Sequence, residues 1–88
     1  MYSKKFRLTD IRRQSERNQV FYNSIKGNIC YLGFFKIGER GWFLVDEMQD
    51  FEPVHRIHTS EVKDVKYEEN GKVIVVTENT TYTFEVEV

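Results

Sequence analysis

One cysteine, one proline, two histidines and no apolar run beyond four residues set the first limits on this 88-residue chain. A lone Cys30 rules out an intramolecular disulfide, and with it the disulfide-stapled scaffolds of small secreted domains. An isolated cysteine in mid-strand reads as a buried, inert thiol. Runs of four apolar residues are far too short to span a bilayer as a helix, so no membrane partner is expected. The basic opening residues lead into no apolar segment, so no signal peptide and a cytoplasmic location are expected. With one proline and five glycines, the composition does not resemble a disordered or low-complexity chain. Eighty-eight residues make one domain, 1–88.

Sequence signatures of catalysis are missing as well. There is no phosphate loop, dinucleotide fingerprint or recognisable Ser-His-Asp order. Gly38-Glu39-Arg40-Gly41 has two glycines but opens a strand rather than a helix, so it reads as a hairpin turn. His55 and His58 would point to opposite faces of a strand, so one zinc could not readily take both, even with Asp46, Glu47, Asp50 and Glu52 nearby. The expectation is a non-enzymatic protein with no cofactor and no metal.

Aromatic residues make up 15% of the chain, and β-rich patterning fills most of it. Its organising stretch is Lys63 to Val88, which reads as two successive β-hairpins. Asn70-Gly71 suits a two-residue type I′ turn, because both central positions need positive φ. That turn sets Tyr67 opposite Ile74 and Val65 opposite Val76. Tyr82, Phe84, Val86 and Val88 alternate with polar residues, the period of a half-buried strand. A three-residue loop, Glu78-Asn79-Thr80, then places Tyr82 opposite Val76 and Phe84 opposite Ile74. Val73 and Val75 leave the middle strand apolar on both faces.

Upstream, a short strand is expected over 3–11, a polar loop over 12–19 and a strand over 20–26. The longest strand is expected over 28–37, with its return over 41–47, pairing Ile37 with Trp42 and Phe35 with Leu44. Gly33 interrupts the apolar row and predicts a bulge or sharp bend. An acidic loop, 46–53, precedes a short strand, 55–59, and a turn at 60–62. Turns at this spacing predict an all-β fold: a small, strongly bent antiparallel sheet closing into an SH3-like barrel, or failing that a two-layer β-sandwich.

A small barrel has one interior, whereas the long strand is apolar on both faces. The surplus predicts a binding module or a small homo-oligomer, with a protein-binding face around Phe21, Leu32, Phe34 and Trp42. Charge offers two further readings. Net charge is −1, yet residues 1–17 carry +4 and residues 61–88 carry −4. Lys4, Lys5, Arg7, Arg12, Arg13 and Arg17 are candidate phosphate contacts for nucleic acid, with Tyr22, Tyr31 or Trp42 as stacking partners. Alternatively, Asp64, Glu68, Glu78, Glu85 and Glu87 form an acidic sheet face of the kind a phage or mobile-element inhibitor presents to a basic protein.

Thr59-Ser60, Val62 and the pattern Thr77-x-Asn79-Thr80-x-Tyr82-x-Phe84 resemble small uncharacterised proteins of Gram-positive bacteria and their phages. The resemblance covers about a third of the chain. It implies a bacterial or phage origin and carries no activity.

Overall fold

A computed structural model describes residues 4–14, 17, 19–46 and 54–87. Six strands and one short helix follow in the order β1 (Phe6–Arg13), α1 (Gln19–Ile25), β2 (Ile29–Phe34), β3 (Arg40–Asp46), β4 (Val54–Tyr67), β5 (Lys72–Thr77) and β6 (Thr80–Val86). Each strand pairs antiparallel with the next, and β6 returns to β1, closing the barrel. The all-β barrel expected from the sequence is the fold, and its closing seam is short, Phe6 and Arg7 of β1 pairing with Cys30 and Ile29 of β2. Most of the expected acidic loop, residues 47–53, lies outside the described residues.

Its interior is filled by Phe6, Leu8, Cys30, Phe43, Val75 and Phe84, among others, all buried. Phe43 packs edge-on against both Tyr82 and Phe84, with ring centroids 5.3 and 5.1 Å apart. Edge-to-face rings add about 0.5–1.5 kcal/mol per pair beyond area burial.

The sheet closes because its strands bend. β4 runs unbroken through 60–62, where a turn was expected. Its first half pairs with β3 and its second with β5, with register shifts beside the bend at Arg40/Trp42 and Val62/Asp64. A further bulge falls between Leu32 and Phe34, around Gly33 as expected.

Residues 20–26 are not a strand. Phe21, Tyr22 and Ile25 have helical spacing, and α1 turns them toward the barrel, where Ile25 is fully buried. Lys26 N–H donates to the Tyr22 carbonyl at 3.2 Å, and Gly27 N–H leaves the helix for the Leu8 carbonyl at 2.7 Å. β1 extends to Arg13, two residues further than expected.

Both C-terminal loops differ by one residue from the expected lengths. Glu68 N–H donates to the Lys72 carbonyl at 2.8 Å, and Gly71 N–H to the Glu68 carbonyl at 3.1 Å. The loop is therefore Glu69-Asn70-Gly71, with Gly71 left-handed at φ +83°. The following turn is Glu78-Asn79, since Val76 pairs with Thr81. Tyr67 consequently faces Val73, Val75 faces Tyr82 and Val73 faces Phe84, while Ile74 and Val76 point outward. Tyr67 is on the inner side only at the rim, where it is 74% exposed.

The long strand is also shorter than expected, and its register differs. Phe34, not Ile37, pairs with Trp42, and Tyr31, not Phe35, pairs with Leu44.

Candidate functional site

The four expected interface residues separate into two pairs. Cys30 and Leu32 are set against Val45 and Phe43, both fully buried, so Leu32 packs on the interior. The bulge at Gly33 then inserts one residue, and Phe34 emerges beside Trp42 on the outside. Phe21 leans from α1 against the interior cluster rather than joining that outer face.

The outer face of β2, β3 and β4 is built in rows. Phe34, Trp42 and His58 form one row; Tyr31, Leu44 and Arg56 form the next. Phe34 is 45% exposed, and Ile37 in the β2–β3 connection is 62% exposed. The Trp42 ring lies over Gly33 so closely that a Cβ there would meet Cε3 at 2.3 Å. The Arg56 guanidinium also lies against that ring, 4.6 Å from its centroid. Neither Arg56 nor His58 has a carboxylate partner among the described residues. Leu44 lies outside the interior cluster yet is only 9% exposed, so part of this second apolar face is already covered within the chain.

The basic N-terminal residues do not form one free surface. Arg7 bridges to Glu87 at 2.7 Å and donates to the Gly27 carbonyl, and Arg12 pairs with Asp10 at 3.0 Å. Arg13 stacks on Tyr22, 3.8 Å from the ring centroid. Lys4 lies over Phe6, Lys5 is exposed, and Arg17 supplies a carbonyl to Arg13. The acidic residues are interleaved likewise: Glu85 sits in register between Arg7 and Lys72, and Asp64 caps its neighbour's amide.

Sequence reasoning passed over a cleft of about 530 Å³ between the β4 bend, the β5–β6 turn, the start of β3 and the end of β1. Thr59, Ser60 and Thr80 line it, and a chain of hydroxyls runs from them through the buried Thr77. Thr59 Oγ1 accepts from Gly41 N–H at 2.9 Å and donates to the Ser60 carbonyl. Ser60 Oγ donates to Thr77 Oγ1 at 3.0 Å, and Thr77 Oγ1 donates in turn to the Thr80 carbonyl at 2.7 Å. Tyr82 lies beside it, its phenol pKa raised by burial and then by the neighbouring Tyr22. The signal available in sequence was the cluster Thr59-Ser60 and Thr77-x-x-Thr80, small hydroxyls where strand positions should be apolar.

Among the described residues, no group of three or more metal-ligating side chains comes together. His58 is exposed on the outer face; the His55 side chain and residues Glu47, Asp50 and Glu52 lie outside the described residues. Among the described residues, no helix is long and apolar enough to cross a membrane. Cys30 is buried and free, and burial pushes its thiol up to about 12. No protein-family model, curated protein or solved structure matches the chain.

Proposed function

We propose that this chain is a non-enzymatic protein-interaction module working through the outer face of β2, β3 and β4. The partner is a protein segment presenting apolar side chains beside carboxylates. The observation that carries this reading is the juxtaposition of Phe34 and Trp42, flanked by His58 and by Arg56, which no described carboxylate neutralises. Apolar area beside an uncompensated guanidinium selects a partner of opposite charge, and complementarity of that kind governs specificity and encounter rate. The free thiol in the core fits a cytoplasmic setting.

Selection from a random peptide library tests the reading. Enriched peptides are expected to combine aromatic or aliphatic residues with Asp or Glu. They should lose affinity for Phe34→Ser and for Arg56→Glu, and keep it for Lys63→Gln on another part of the barrel. Enrichment without acidic residues, or binding indifferent to both variants, would overturn it. Saturable binding of single-stranded oligonucleotides that fails in Arg56→Glu would replace the protein partner by nucleic acid, read through Trp42.

A further inference from the structure

The cleft beside the β4 bend is of the size that small-molecule sites occupy, about 300–1,000 Å³. Two guanidiniums line it, and each is held in place. Arg40 Nε donates to the Thr59 carbonyl at 3.0 Å, which leaves its terminal nitrogens without a described partner. Arg13 lies flat on Tyr22 and donates through Nη1 to the Arg17 carbonyl. Its Nε is buried with no hydrogen-bond partner among the described residues. A buried donor left unpaired is costly, and the planar fork of a guanidinium suits a two-oxygen acceptor. Holding the side chains beforehand reduces the ordering cost of binding.

The carboxylates of the cleft do not cancel these charges. Glu61 is taken by Lys63 at 2.9 Å, and only Glu78 keeps a charge with no ion pair among the described residues. Asn79 stands at the turn beside it, its backbone N–H fixed by Ser60 Oγ at 3.3 Å.

We propose that this cleft binds a small organic anion, its phosphate or carboxylate group gripped by Arg13 and Arg40. The site borders the outer face at His58, which lines both, but it does not rest on the interaction proposed for that face. Phosphate and carboxylate share the acceptor geometry that a guanidinium reads, so the test carries one arm for each. Glu78, at the rim, opposes the bound charge and limits affinity.

The experiment is an amide-shift titration of the labelled protein at low salt with inorganic phosphate, glucose 6-phosphate, citrate and, as a neutral control, glucose. Saturable shifts are expected at Gly41, Ser60, Asn79 and Thr80 with at least one of the anions, and none with glucose. The tighter arm identifies the source. Arg40→Gln, an exposed position, should weaken binding about tenfold, in the range for one lost charge-assisted contact. Glu78→Gln should tighten it, a gain that unfolding cannot mimic, and Phe34→Ser should leave it unchanged. Absence of saturable shifts, indifference to Arg40→Gln, or weaker binding in Glu78→Gln would each overturn the proposal.

Discussion

Arg7 Nη2 lies 2.7 Å from Glu87 Oε1, and Arg7 Nε reaches Oε2 of the same carboxylate at 3.1 Å. Eighty positions apart in sequence, the two meet because β6 returns to β1. The fork-on-fork pair joins the most basic part of the chain to the most acidic.

That pair makes stability depend on acid. The hydrogen bond from Arg7 holds the Glu87 carboxyl below its ordinary range. A depressed folded pKa stabilises above the unfolded value, and the contribution is lost as pH falls through the folded one. Glu87→Gln should therefore melt lower than wild type near neutrality, with the gap closing in acid and shrinking at high salt. Thermal melts of both proteins across pH and salt check this.

Gly33 is constrained by the ring above it. In Gly33→Ala the new methyl would sit 2.3 Å from Trp42 Cε3, so the indole must move or the bulge must open. Overpacking of this kind costs about 1–3 kcal/mol. Trp42 is the chain's only tryptophan, so its fluorescence reports the displacement directly, alongside a lower denaturation midpoint.

Thr77 serves three partners through one oxygen. It donates to the Thr80 carbonyl and accepts from Thr80 N–H at 3.1 Å and from Ser60 Oγ at 3.0 Å. Thr77→Val keeps the shape and leaves those groups unpaired in a buried place, a loss of about 1–3 kcal/mol. Urea denaturation should show it, and the Thr80 amide should exchange faster with solvent.

Cys30 is fully buried, its thiol neutral well into the alkaline range. Only the thiolate attacks disulfide reagents. An aromatic disulfide reagent at mildly alkaline pH should leave the native protein untouched and titrate one thiol on denaturation. Fast labelling of the folded protein would contradict the core placement.

Strand content, the barrel and the bulge at Gly33 were legible in sequence, because alternation, turn residues and an interrupted apolar row are local signals. The facing of β5 was not. Val73, Ile74, Val75 and Val76 are all apolar, so that strand has no side preference of its own. Gly71 is equally suited to a two- or a three-residue loop, since either accepts a left-handed glycine there. The loop before β5 is one residue longer than expected and the turn after it one shorter. β4 and β6 therefore keep their expected relation while β5 is reversed between them. The helix at 19–25 was not legible for a related reason: Phe21, Tyr22 and Ile25 carry helical spacing in a segment too short for periodicity to dominate.

The amino-acid order by itself determined that this chain would curl into a small β-barrel with aromatic rings inside, since burial and turn geometry act over a few neighbouring residues. Only the tertiary structure decided which charges remain free. Ring closure sets the basic first strand against the acidic last one and neutralises Arg7, while the Gly33 bulge turns Leu32 inward and Phe34 outward. Such pairings depend on which strands become neighbours, and no local pattern encodes that.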